Sequence, residues 1–215
     1  MSELYPARLD VDRSDSLDRL SSFFRMIWAV PILMIYSLLY ATATETLTII
    51  DEAGETITWV RNTGGGILGG IFVATVLMIL FRQKYPRWWF DFALEFTRFG
   101  ARIGAYLALL TDRYPSTDET QSVHLDVEYP DVEQDLNRWL PLIKWFLAIP
   151  HYVVLGFLAI GVVFSVVIAW FAILFTGRYP QGLFDFIVGV GRWGLRVNAY
   201  MFLLVTDKYP PFSLQ

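Results

Sequence analysis

Apolar and polar positions along this chain fall into blocks with three different periods. Residues 23–40 and 64–81 are almost wholly apolar. So are residues 139–175, interrupted mainly by Lys144 and His151. About 18–20 apolar residues suffice for a bilayer core of roughly 30 Å, so the first two blocks each predict one membrane span. As one helix the third block would extend about 55 Å, far beyond that core. It is therefore expected to fold back near Gly156–Gly161, giving spans at residues 138–155 and 157–175.

A second period, close to 3.6, runs through residues 87–111 and 181–205. In the first stretch Asp91, Arg98, Arg102 and Tyr106 are separated by 7, 4 and 4 positions, and Glu95 falls between them. At roughly 100° per residue these positions lie within about 80° of one another on a helix. Asp185, Arg192, Arg196 and Tyr200 repeat the pattern at a constant offset of 94. Most remaining positions are apolar or glycine, so each stretch predicts an amphipathic helix with one narrow ionic stripe. Pro86 and Pro180 suit the first turn, and the acids sit near the positive end of the helix dipole.

A third period, of two, appears in residues 7–12 and 123–128, which read as two short matched strands able to pair with each other or with a partner. Residues 46–60 read as a β-hairpin, with Gly54 suited to a left-handed turn position. Ser14 or Asp15 is expected to cap the helix that follows the first strand, and Asp131 the one that follows the second. Pro31 should loosen the first span, where Arg25 is expected to snorkel toward headgroups. The glycines at 64–66 and 69–70 offer a surface for close helix approach.

Aligning the two halves places Arg25-Met26-Ile27-Trp28-Ala29-Val30-Pro31 against Lys144-Trp145-Phe146-Leu147-Ala148-Ile149-Pro150, and the second half lacks the hairpin. An internal repeat of this kind is read before other signals. The expected architecture is an all-α membrane protein of two parallel repeats, residues 1–115 and 116–215. Each is a transmembrane hairpin followed by an amphipathic helix lying in the interface. The β-hairpin would sit on the outer side and the two strands on the cytoplasmic side. Six spans in two inverted halves is the rival arrangement.

Composition sharpens this picture. Of 215 residues, 55% are hydrophobic, above the 45–50% usual in soluble domains. Of the 17 lysines and arginines, only Arg61 lies within residues 41–63. The positive-inside rule then puts both termini in the cytoplasm, in a multi-pass protein of the inner membrane. A net charge of −4 provides no basic face for nucleic acid, and the absence of cysteine excludes disulfides and thiolate chemistry.

The residues Thr176-Gly177-Arg178-Tyr179-Pro180, Leu183-Phe184-Asp185-Phe186, Arg192-Trp193, Arg196-Val197, Ala199-Tyr200 and Thr206-Asp207-Lys208-Tyr209-Pro210-Pro211-Phe212 resemble a family of bacterial integral membrane proteins known only as a domain of unknown function. That resemblance implies two spans and an amphipathic helix per copy, duplicated in longer members, and it implies no reaction or cofactor. The first copy departs from it, with Arg82-Gln83-Lys84 for Thr-Gly-Arg and Arg87-Trp88-Trp89 for Gln-Gly-Leu.

Chemical motifs are weak. His124 and His151 are the only histidines, and His151 suits a hydrogen-bonded packing role better than a metal. The expectation is a non-enzymatic protein with neither metal nor cofactor, an accessory or scaffold subunit of a membrane complex or homo-oligomer. The stripe then consists of ion pairs that lock the amphipathic helices in place. The alternatives are arginines gripping anionic lipid phosphates, and a polar path for a small solute between the repeats.

Overall fold

The computed structural model describes residues 5–40, 43–50, 56–63, 66–117 and 119–215, and the chain is mostly helical with four short strands among them. The first half contains β1 (Ala7–Val11), α1 (Arg19–Phe23), α2 (Arg25–Tyr40), β2 (Ala43–Ile50), β3 (Thr56–Thr63), α3 (Gly66–Arg82) and α4 (Arg87–Leu107). The second half contains β4 (Val123–Val127), α5 (Val132–Asp135), α6 (Pro141–Leu147), α7 (Ile149–Thr176) and α8 (Gln181–Met201).

Three layers stack on one another. The outermost is the antiparallel pair β1–β4, whose register centres on Leu9 opposite Leu125. Val123, Leu125 and Val127 alternate inward with His124 and Asp126 outward, as a half-buried strand must. Each aliphatic side chain so buried contributes about 1.5–3 kcal/mol. The middle layer is α4 and α8, with α4 against β4 and α8 against β1. The third layer holds the apolar helices, α7 against α8 and α2 against α4.

The second antiparallel pair, β2–β3, forms the expected hairpin, with Leu47 opposite Trp59. Its turn, including Gly54, lies outside the described residues, as do Gly64 and Gly65. Asp18, rather than Ser14 or Asp15, caps α1, accepting from Ser21 N at 2.8 Å. Asp131 caps α5, accepting from Glu133 N and Gln134 N.

The expected turn at Gly156–Gly161 is absent. After α6 ends at Leu147, residues 149–176 form one continuous helix rather than two spans at 138–155 and 157–175. Both glycines keep helical backbone, and Gly161 serves close packing instead: a Cβ there would come within 3.3 Å of the Phe186 ring. Pro150 belongs to the first turn of α7, where its missing N–H costs nothing. Gly177, at φ 71°, ends the helix in the left-handed conformation.

The amphipathic helices also end earlier than expected, at Leu107 and Met201 rather than 111 and 205. Leu109 and Leu204 adopt positive φ, 63° and 54°, which cannot continue a right-handed helix.

At 28 residues α7 is about 42 Å long, and it is apolar enough to cross a membrane. α2 and α3 are shorter apolar helices. Phe157, Phe164, Phe171 and Phe175 of α7 and Met26, Trp28 and Leu38 of α2 are exposed.

Candidate functional site

The striped helices divide their polar side chains among three tasks. Arg98 on α4 donates from Nε to Leu125 O at 2.8 Å and from Nη2 to Asp126 Oδ1 at 3.0 Å. Arg192 on α8 does the same to β1, from Nε to Leu9 O and from Nη2 to Asp10 Oδ1, both at 2.9 Å. Each helix thus grips the strand from the other half of the chain. A strand laid across a helix presents one carbonyl and one side chain together, and the planar guanidinium fits both.

One turn along, Arg102 and Arg196 hold the segments that follow each helix. Arg102 Nη1 donates to Ser116 O at 2.6 Å, and Arg196 Nη2 to Ser213 O at 2.5 Å. A further turn along, the buried rings of Tyr106 and Tyr200 each lie beneath a cation. The Arg25 guanidinium sits 4.2 Å from the Tyr106 centroid, and Lys144 Nζ 4.8 Å from that of Tyr200.

Those cations are among the most buried polar side chains of the described residues. Arg25 donates to Thr111 O at 2.6 Å and to Asp112 Oδ1 at 2.5 Å. Lys144 donates to Thr206 O at 2.7 Å and lies 2.8 Å from Asp207 Oδ1. The second oxygen of each aspartate accepts a backbone N–H, from Asp18 and Asn137 respectively. Arg25 therefore does not snorkel; its side chain is 2% exposed and ion-paired. The signal for this cluster was present in the chain. Thr-Asp-x-Tyr-Pro recurs after both striped helices, and a cation recurs at matched positions before both apolar ones.

The stripe aspartates are not the partners of the stripe arginines. Asp91 lies 3.9 Å from Arg87 at the surface, and Asp185 is exposed. Seven residues separate Asp91 from Arg98, about 10.5 Å along the axis, whereas the strand passes directly over the arginine. Glu95, one turn away, does pair with Arg98 at 2.6 Å. His151 accepts from Trp193 Nε1 at Nδ1, 3.1 Å, and stacks on Phe212 at 4.0 Å. His124 pairs with Asp12 at 2.9 Å. Among the described residues no group of three potential metal-ligating side chains assembles.

Between α4 and α8 lies a cavity of about 610 Å³. Its lining includes Leu9 and Leu125 of the sheet, Ala101 of α4, Leu195 of α8 and Phe72 of α3. Glycines on its walls leave the room: a Cβ built at Gly104, Gly194 or Gly69 would meet nothing within 4 Å. Sequence reading placed the polar residues of α4 and α8 but not this space, because only the splay of the two helices over the sheet creates it.

Among the described residues the protein is mostly helical with few strands, and one helix is long and apolar enough to cross a membrane. A family model described as a domain of unknown function (DUF4389) matches residues 139–213, which include Lys144, Arg192, Arg196, Tyr200 and Asp207. The match supports membership of this part of the chain in an uncharacterised domain family. No curated protein and no solved structure matches the chain.

Proposed function

We propose that the chain is a non-enzymatic, multi-pass protein of the inner membrane, built as two parallel repeats and acting as an accessory or scaffold subunit in a homo-oligomer or larger membrane complex. The observation that supports it most is the division of labour among side chains. The arginines of the two stripes are engaged within the chain, while the apolar faces of α2 and α7 are turned outward. An exposed apolar face of that extent calls for lipid or a protein partner. In this reading α2 and α3 cross as a hairpin, the continuous α7 lies along α8 without a crossing of its own, α4 and α8 lie at the cytoplasmic interface beneath the β1–β4 sheet, and the β2–β3 hairpin projects outward.

Two experiments test it. Because the chain has no cysteine, Ser116→Cys, Ser213→Cys and Thr48→Cys each report one site to a membrane-impermeant thiol reagent on intact cells. Label at Thr48 alone is expected; label at Ser116 from outside overturns the topology. Native mass spectrometry of the protein in nanodiscs should give an assembly heavier than one 24.8 kDa chain. A single chain alone overturns the scaffold role.

A second reading, ligand binding between the repeats, gains support from the cavity. It does not favour the anionic-headgroup version, because the guanidinium groups of Arg98, Arg102, Arg192 and Arg196 already donate to carbonyls and carboxylates of this chain.

A further inference from the structure

We propose that two matched corners of the molecule, each carrying exposed cations beside exposed aromatic rings, dock onto the headgroups of an anionic phospholipid leaflet. This rests on the membrane reading above and gives that membrane its lipid chemistry. The cations are not those of the stripes. They are Arg19, Arg113 and Arg178 at one corner, and Arg138, Lys208 and Lys84 at the other.

The repeat and the packing place them. Arg19 and Arg138 stand six positions before Arg25 and Lys144, Arg113 and Lys208 follow Thr-Asp, and Arg178 and Lys84 precede Tyr-Pro. At the first corner Leu17 N donates to Gly177 O at 3.0 Å and Asp18 N to Asp112 Oδ2 at 2.7 Å. The chain around Arg19 therefore adjoins the segments of Arg178 and Arg113, and a Cβ built at Gly177 would lie 3.6 Å from Arg19 Nε. At the second corner Asn137 N donates to Asp207 Oδ2, and Arg138 Nη2 to Gln83 Oε1 at 2.7 Å. Arg138 is thereby joined to the segments of Lys208 and Lys84 in the same way.

Charge and position identify what covers these corners. All six residues are exposed. Among the described residues Arg19, Arg113, Arg178, Lys84 and Arg138 form no ion pair. The aspartates beside Arg113 and Lys208 are committed to Arg25 and Lys144 instead. Arg178 and Lys84 each stand two residues beyond an apolar helix, α7 and α3. Phe175 and Phe81, exposed and at matched positions, lie three residues before them, and the exposed Trp139 adjoins Arg138. Cations at the end of an apolar helix, with aromatic rings next to them, suit the headgroup level of a bilayer. An anionic leaflet strengthens binding about fivefold for each lysine or arginine held near its surface.

The test places the full-length protein in nanodiscs of equal parts phosphatidylglycerol and phosphatidylcholine. Native mass spectrometry then counts the lipid retained in mild detergent. Phosphatidylglycerol should be retained about fivefold over phosphatidylcholine. The preference should vanish in about 1 M salt, where charges are screened beyond roughly 3 Å. Arg19→Gln, Arg113→Gln and Arg178→Gln together should remove about half of the retained anionic lipid, and Lys84→Gln, Arg138→Gln and Lys208→Gln the other half. Lysine in place of the arginines should preserve it, as should Arg8→Gln, which removes an exposed cation of the β1–β4 sheet. Equal retention of the two lipids by the unmodified protein, a preference indifferent to salt, or one that survives loss of all six cations would overturn the proposal. Thiol labelling at Ser116 tests the membrane topology separately, so the two can fail independently.

Discussion

Leu9 and Leu125 face each other at the central rung of the β1–β4 pair, and the main-chain oxygen of each is held by an arginine from the opposite half of the chain. Under the proposed duplication these two leucines are equivalent, so the axis relating the halves passes between them. The strands are in effect exchanged: each half provides the strand that the other half's striped helix grips. Neither strand is stable as an isolated two-stranded ribbon. The arginines and the apolar floor beneath make the sheet possible.

Equivalent clamps should fail equally. Arg98→Ala and Arg192→Ala each remove a main-chain and a side-chain hydrogen bond to a strand. Both side chains are about one-third exposed, which moderates the loss to about 1–2 kcal/mol each. Thermal unfolding in detergent should fall by roughly 3–6 °C for either variant. A large loss for one and none for the other would contradict the equivalence.

The two halves use different cations for one task, which makes the buried pairs interchangeable. Lys144 Nζ alone reaches both a main-chain oxygen and a carboxylate, the same two partners that Arg25 contacts with two nitrogens. Arg25→Lys should therefore cost less than about 1 kcal/mol. Asp207→Ala leaves the Lys144 charge buried and alone and should cost about 3–5 kcal/mol, whereas Arg25→Ala leaves the partly exposed Asp112, still held by Asp18 N, and should cost less. Chemical denaturation of the three variants separates these outcomes.

Much of this was legible in the sequence, and the boundary is instructive. The stripe positions, the two helices that carry them and the short strands follow from periodicity, because side chains alone define a period. The bonds of Arg98 and Arg192 did not follow, because half of each is to a carbonyl oxygen that every residue possesses. Nor did the roles of Asp112 and Asp207, whose partners are distant in sequence. The continuous α7 was missed for a different reason. The apolar run at residues 139–175 breaks at Ala148, between α6 and α7, rather than at its glycines, and no polar insert like that at residues 41–63 marks the place.

Alkaline pH should destabilise the fold. Burial pushes the phenols of Tyr5, Tyr85 and Tyr179 well above their ordinary value of 10.0. The native state therefore retains protons that the unfolded chain releases. Stability is fully present below about pH 10 and declines as pH rises beyond it, by up to about 1.4 kcal/mol per pH unit for each phenol. Unfolding midpoints measured from pH 8 to 11.5 should fall only above pH 10. Tyr179→Phe loses the hydrogen bond to Ala108 O, lowering stability at pH 8, yet should flatten the alkaline decline.

Two glycines of the striped helices should respond to alanine in opposite directions, and the contrast locates the empty space. Gly104 and Gly189 both lie inside helices, where glycine costs roughly 0.5–1 kcal/mol relative to alanine. A Cβ at Gly104 meets nothing within 4 Å, so Gly104→Ala gains helix stability without strain. A Cβ at Gly189 falls 2.8 Å from Leu214 O and 2.9 Å from Leu214 Cβ. The first of these is main chain, which cannot swing aside as the tip of a side chain can. Gly189→Ala must therefore displace the C-terminal segment, which Arg196 fixes through Ser213 O. The expected result is a midpoint raised by roughly 1–4 °C for Gly104→Ala and lowered for Gly189→Ala. Truncation after Ser213 removes the obstructing residue and should restore Gly189→Ala to the stability of the truncated parent or above it. If the truncated pair still differs in favour of glycine, Leu214 is not what Gly189 accommodates.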